Sequence, residues 1–142
     1  MIDMTDRDAI AAQVMDLFHE LSHRVRRRGV ERLEGLELSF PEAIAIHQLG
    51  GPLSMGGLAD RLSCDASYVT GLIDRLEERQ LAERKPDPHD RRVKQVVLTE
   101  QGREMRRDVE AGMYERSGLL QVLENEELLE LARILEKILS SP

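Results

Sequence analysis

Cysteine is almost absent from this 142-residue chain, and Cys64 alone can form neither an internal disulfide nor a multi-cysteine zinc site. Tryptophan is missing and aromatic residues make up 3% of the sequence, so a core must be assembled from Leu, Ile, Val, Met and Ala. That composition favours helices over a β-sandwich. No apolar run approaches the roughly 18 residues that span a bilayer, and the first ten residues, MIDMTDRDAI, lack the basic and apolar regions of a signal peptide. The expectation is a cytoplasmic protein with no membrane association. The length suits one domain, able to bury roughly 70% of its unfolded surface.

Excess positive charge is lacking too, since the net charge is -7. Taken alone, this counts against a nucleic-acid partner. Its distribution is uneven, however. Residues 1–60 and 99–142 each carry six basic and ten acidic side chains, whereas residues 61–98 carry eight basic and seven acidic. Within the middle stretch Arg84, Lys85, Arg91, Arg92 and Lys94 face only Asp87 and Asp90, a short basic segment on an acidic body.

Helical periodicity opens the chain. Ile10, Val14, Leu17, Phe18, Leu21 and Val25 form one apolar stripe between Asp8 and Arg28, and the basic run from Arg24 to Arg28 before Gly29 suits a helix C-terminus. That run is read as a solvated terminus, with auxiliary phosphate contact as the alternative. Ser39-Phe-Pro-Glu42 is a capping box that starts a second helix, which Gly50-Gly51-Pro52 stops. Ser54 caps a third over Met55 to Leu62, and Asp65 caps a fourth running to about Arg79. Two short helices joined by Ser63-Cys64-Asp65 are a helix-turn-helix pattern. The period then changes. Leu81–Lys85 and Arg92–Leu98 are strand-like around the turn Pro86–Arg91, which predicts a β-hairpin. Thr99 caps a long helix expected to reach Leu120, and a last helix spans about Asn125 to Leu139. The fold class is mainly α with a small β-hairpin wing, a winged helix-turn-helix flanked by N- and C-terminal helices.

A helix-turn-helix presents the first turns of its second helix to the DNA major groove, about 12 Å wide. Val69, Leu72, Ile73 and Leu76 form an inward stripe on the fourth helix, which turns Ser67, Tyr68, Thr70, Gly71 and Arg75 outward. The three hydroxyls can meet base edges or phosphates, and Gly71 permits close backbone approach. In the hairpin, Arg91, Arg92 and Lys94 are cationic, and such a tip can enter the minor groove. Asp90 stands two residues before Arg92 and is expected to orient its guanidinium through a charge-assisted pair.

The run LADRLSCDASYVTGLIDRLEERQLAERKPDPHDRRVKQVVLTEQG resembles the MarR family of regulators, through Asp90-Arg91-Arg92 in the wing and the closing Leu98-Thr99-x-x-Gly102. The helix order on both sides fits as well. The resemblance implies a triangular homodimer whose terminal helices interleave, with residues 1–37 and 99–142 dimerising and 38–98 binding a pseudo-palindromic double-stranded DNA operator. It further implies repression relieved by a small organic effector near the junction of these regions, with no cofactor. Glu124 stands where the family's last helix often has a Ser or Thr cap, and Gly71 where a larger polar side chain is common. Dimerisation also follows from the residues, because the apolar stripes of the first, fifth and sixth helices exceed what a small winged domain can cover. A two-fold dimer sets its recognition helices about 34 Å apart.

Other readings compete for the same residues. Cys64 precedes a helix N-terminus, where thiolates can be activated, but Asp65 beside it favours packing, and peroxide-sensing members of the family carry their cysteine near the start of the first helix. His19 and His23, spaced i, i+4, offer half a metal site that Glu42 or His47 would complete, the basis for a metal-responsive regulator. Met15, Met105 and Met113 suggest an adaptable pocket, with core packing the simpler account. A winged domain used for protein interaction is the third alternative. Enzymatic activity is not expected, as neither a Gly-rich phosphate loop nor a nucleophile elbow occurs.

Overall fold

A computed structural model describes residues 6–115 and 118–142, Tyr114 and Glu115 by their backbone alone. Its elements run α1 (Arg7–Leu33), α2 (Phe40–Gln48), β1 (Leu53–Ser54), α3 (Met55–Leu62), α4 (Ala66–Glu78), β2 (Ala82–Pro86), β3 (Lys94–Leu98), α5 (Glu100–Glu110) and α6 (Asn125–Leu139). No described helix is long and apolar enough to cross a membrane.

The start signals act where the sequence has them. Ser39 accepts from Glu42 N–H at 3.3 Å while Glu42 accepts from Ser39 N–H at 2.9 Å, so the capping box is closed. Ser54, Asp65 and Thr99 each accept from the backbone N–H three residues on, fixing the first turns of α3, α4 and α5. Ser63 adopts the left-handed conformation (φ 51°) between α3 and α4, which keeps the helix-turn-helix link to three residues.

Three expectations need correction. Gly29 does not end α1, which continues to Leu33 and a 3-10 turn, Glu34–Leu36. Gly29 is buried, and a Cβ there would stand 2.8 Å from Phe40 Cε2. It is the point where α2 meets α1, so the residue answers to packing. The helix expected to reach Leu120 is α-helical only to Glu110 and widens into a π turn over Ala111–Glu115, with Leu119 and Leu120 outside regular helix. The hairpin also gains a third strand. Leu53 and Ser54 pair antiparallel with Val96 and Gln95, giving the sheet order β1-β3-β2. A two-residue strand has no periodicity to betray it.

One core holds these parts together. Ile46 from α2, Leu58 from α3, Val69, Leu72, Ile73 and Leu76 from α4, and Val96 from β3 are fully buried, and Leu33 and Val109 bring in the ends of α1 and α5. The base of the wing is clamped to α5. Thr99 Oγ1 donates to Gln80 O at 2.6 Å, and a Cβ on Gly102 would lie 1.8 Å from Leu81 O, so only glycine fits there. By contrast, no described residue of α6 is buried, and α1 exposes Val14, Leu17 and Phe18.

Candidate nucleic-acid interface

The inward stripe of α4 leaves one outer face, on which Ser67, Tyr68 and Thr70 are exposed and Gly71 is half-buried. Two of the three hydroxyls are already oriented. Ser67 Oγ donates to Asp65 Oδ1 at 2.9 Å, and Thr70 Oγ1 donates to Ala66 O at 2.9 Å. With their protons engaged, these oxygens turn acceptor lone pairs outward. Asp65 takes both Tyr68 N–H and Ser67 O–H, and these bonds, the backbone one foremost, hold its carboxyl below the ordinary value. The cap therefore stays ionised at the positive end of the α4 dipole. At Gly71 a Cβ would meet only Arg75 Nη1, at 3.8 Å, so packing does not demand glycine there.

Arg75 is exposed on the same helix, but its Nε donates to Glu42 Oε1 at 3.3 Å. Among the described residues Glu42 is the one charged side chain in the buried set, 8% exposed, and the pair ties α4 to the capped start of α2. Arg79, at the end of α4, donates to Glu37 O at 2.7 Å and Leu36 O at 3.4 Å. Recognition-helix orientation is thereby linked to the turn that follows α1. Sequence reasoning did not find the Arg79 contact, because a turn 42 residues away leaves no local pattern.

The basic segment of the wing is smaller than its composition suggests. Arg84 Nη2 bonds Asp74 at 2.8 Å and Nη1 pairs with Glu77, fastening β2 to α4, and Lys85 pairs with Glu83 at 2.9 Å. Three cations remain, Arg91, Arg92 and Lys94, all exposed. Arg91 and Arg92 lie in the tip loop, because β3 begins only at Lys94.

Asp90 does not grip the guanidinium of Arg92 bidentately. Its Oδ1 accepts from Arg92 N–H at 3.1 Å, while Arg92 Nε stands 3.8 Å away, a loose ion pair without a hydrogen bond. The carboxylate orients the backbone, and the side chain of Arg92, 96% exposed, projects free. Asp87 organises the loop as a whole, accepting from His89 N–H (2.6 Å), Asp90 N–H (3.1 Å) and Gln95 Nε2 (2.8 Å). The His89 and Asp90 amides, in that order, hold its carboxyl below the usual value. The Pro86-Asp-Pro run carried that signal as turn chemistry, without showing which aspartate does the organising.

Known proteins match this helix-turn-helix region. A sequence model of the MarR family matches residues 45–94. The uncharacterized HTH-type transcriptional regulator YsmB of Bacillus subtilis is 30% identical over 101 residues, which span 68% of this chain and 69% of that one. The chain belongs to the MarR family of winged helix-turn-helix transcriptional regulators. The HTH-type transcriptional repressor MdtR of B. subtilis is 27% identical over 95% of this chain and 89% of its own. The crystal structure of CouR from Rhodococcus jostii RHA1 bound to p-coumaroyl-CoA superposes with a TM-score of 0.81 at 25% identity, over 91% of this chain and 93% of that one.

Within this MarR-family fold, an open cleft of about 530 Å³ lies between α1, α2 and the start of α4. Arg26, Phe40, Ile44, Cys64 and Tyr68 are among its walls, and the Arg26 guanidinium stands 5.5 Å over the Phe40 ring. Cys64 is half-buried there, its thiol donating to Leu62 O at 3.1 Å. His19 and His23 are both exposed on α1. Neither expected third ligand joins them, since Glu42 is engaged with Arg75 and Ser39, and His47 Nδ1 bonds Glu110 at 3.1 Å. The methionines do not gather either, with Met113 buried beneath Gly29, Met105 half-buried and Met15 exposed.

Proposed function

We propose that this chain is a homodimeric, sequence-specific repressor acting in the cytoplasm, which grips a pseudo-palindromic operator and is released by a small organic effector; it is not an enzyme. The observation that carries the reading is the wing tip, where Asp87 and Asp90 order the loop and leave Arg92 almost fully exposed. Such a guanidinium is preorganised at its backbone and only loosely paired at its charge, which suits insertion into a narrow minor groove. Residues 38–98 form the DNA-binding unit in this reading. Ser67, Tyr68, Thr70 and Gly71 meet base edges or phosphates, Asp90 orders the tip, and Arg91, Arg92 and Lys94 supply phosphate and minor-groove contacts. Arg75 acts mainly by holding α4 against α2.

Residues 1–37 and 99–142 dimerise, a role supported by the apolar side chains that α1 and α6 leave exposed, Leu17, Phe18, Ile134 and Ile138 among them. The Arg26-Phe40-Tyr68 cleft is the effector site. Its mostly apolar lining, with Arg26 as the cation and the Asp65 carboxylate engaged in the α4 cap, suits an aromatic acid or acyl compound, in keeping with the p-coumaroyl-CoA held by CouR. Repression is supported by likeness to MdtR.

The test is recovery of bound duplexes from fragmented genomic DNA, followed by footprinting and a screen for aromatic acids that release them. A protected site with two inverted half-sites is expected. Absence of duplex binding even at low salt would leave a protein-interaction module in its place.

A further inference from the structure

Positive charge also gathers around the loop Gly50-Gly51-Pro52, away from the proposed DNA interface. A cleft of about 620 Å³ opens between this loop, the sheet at Glu83, Lys85 and Val97, and the first turns of α5. Four cations line it, Lys85, Arg103, Arg106 and Arg107, against the carboxylates of Glu83 and Glu100. An adjoining cleft of about 350 Å³ shares the loop and Arg106 and adds Arg61. Such a local excess stands out on a chain of net charge -7.

The three α5 arginines, at i, i+3 and i+4, share one helix face. Arg106 is fixed by Nε–H to His47 O at 3.1 Å and Nη2 to Glu110 at 2.8 Å, and it lies so close to Gly50 that a Cβ there would come within 3.0 Å of Nη2. Arg103 spends one donor on Leu98 O at 3.0 Å, leaving the rest of its fork open. The Arg107 side chain has no hydrogen-bond or ion-pair partner among the described residues. The positive end of the α5 dipole opens on the same space at Thr99 and Glu100.

We propose that this cleft binds a small phosphate-bearing anion. With Lys85 paired to Glu83 and Arg106 to Glu110, Arg103 and Arg107 face only Glu100, so the cleft keeps an excess of positive charge, and guanidinium forks match the oxygens of a phosphate. Leu49, Pro52 and Val97 offer apolar wall to the carbon body of a phosphate ester. DNA backbone is the less favoured occupant on geometric grounds. Glu83, Lys85 and Val97 occupy the sheet face opposite Arg84 and Val96, and it is Arg84 that bonds α4. The cleft thus turns away from the recognition helix. An anion there competes with Glu110 for Arg106, the side chain that joins α2 to α5.

Titration calorimetry of the full chain with inorganic pyrophosphate at low ionic strength tests the site. One saturable site per chain is expected, weakened about tenfold or more by Arg107→Gln and by Arg103→Gln, and unchanged by Arg133→Gln on α6. Arg107→Gln removes no contact within the protein, so it decides the matter if Arg103→Gln lowers stability. Absence of saturable binding, or equal affinity in the Arg107 variant, overturns the proposal. So does weaker binding of Arg107→Gln to sheared genomic duplex without pyrophosphate, which makes the cleft a DNA-backbone contact.

Discussion

Arginine divides the labour of this interface, because some of its forks are spent inside the protein and others are left open. Arg75, Arg79 and Arg84 bond Glu42, the carbonyls of residues 36 and 37, and the Asp74–Glu77 pair, so each locks α4 to a neighbour. Removing Arg75 strips a buried carboxylate of its counter-charge and leaves it the Ser39 amide alone. Arg75→Ala is therefore expected to cost about 1–3 kcal/mol in urea unfolding, and to lower affinity for all duplexes alike. Arg92 is the opposite case. With a nearly free side chain, Arg92→Ala should leave the urea midpoint unchanged, weaken operator binding, and reduce the slope of log K against log salt by about 1. An unchanged slope would remove Arg92 from the DNA contact. Ser67 and Thr70 have spent their protons on Asp65 and Ala66. As acceptors they favour the exocyclic amino groups of adenine or cytosine in the major groove.

At the scale of elements, caps and close approaches decide what the wing and helices can do. The wing loop hangs on Asp87, whose carboxyl is held below its ordinary 3.8 by the amides of His89 and Asp90. A depressed carboxylate contributes order that is present above its unfolded value and lost as pH falls through the folded one. Protection of the His89 and Asp90 amides against exchange, relative to an unstructured chain at the same pH, should thus persist at neutral pH and be lost only as pH falls through the lowered value of Asp87, whereas Asp87→Asn should weaken it at neutral pH. Gly29 governs how α1 meets α2. With Phe40 in the way of any Cβ, Gly29→Ala should destabilise by about 1–3 kcal/mol by thermal or urea unfolding.

These elements also show where sequence reading succeeds. Ser39, Ser54, Asp65 and Thr99 signal helix starts through local chemistry, which a linear pattern records faithfully, and the inward stripe of α4 is a matter of period alone. Gly29 misleads because the same residue type serves helix ends and tight crossings, and only the tertiary neighbour distinguishes them. Arg84 reads as wing charge in the sequence although its partners lie on α4, seven and ten residues back, a pairing that needs the strand to fold onto the helix. The π turn after Glu110 has no sequence mark of its own.

For the molecule as a whole, the outstanding cost is its exposed apolar surface. α1 presents Val14, Leu17, Phe18 and Leu21, and α6 presents Ile134, Leu135 and Ile138, on helices with little of the core beneath them. Half-exposed as most of them are, each such side chain forgoes about 1 kcal/mol of burial in water, and together they are too much to leave on one chain of this size. Pairing two copies through these helices, as proposed, would cover both stripes at once, and two-fold symmetry would then dictate how far apart the α4 helices stand. Changing Leu17 and Phe18 together to Glu places like charges in the seam without touching the winged core. Sedimentation of the native chain at micromolar concentration should show a dimer, and of this variant a monomer. The variant should retain weak contact with one half-site but lose the footprint over two inverted half-sites, since about 34 Å of spacing has no meaning for a single recognition helix. A native chain that sediments as a monomer, or a variant that still protects both half-sites, would rule out this seam as the device that sets operator spacing.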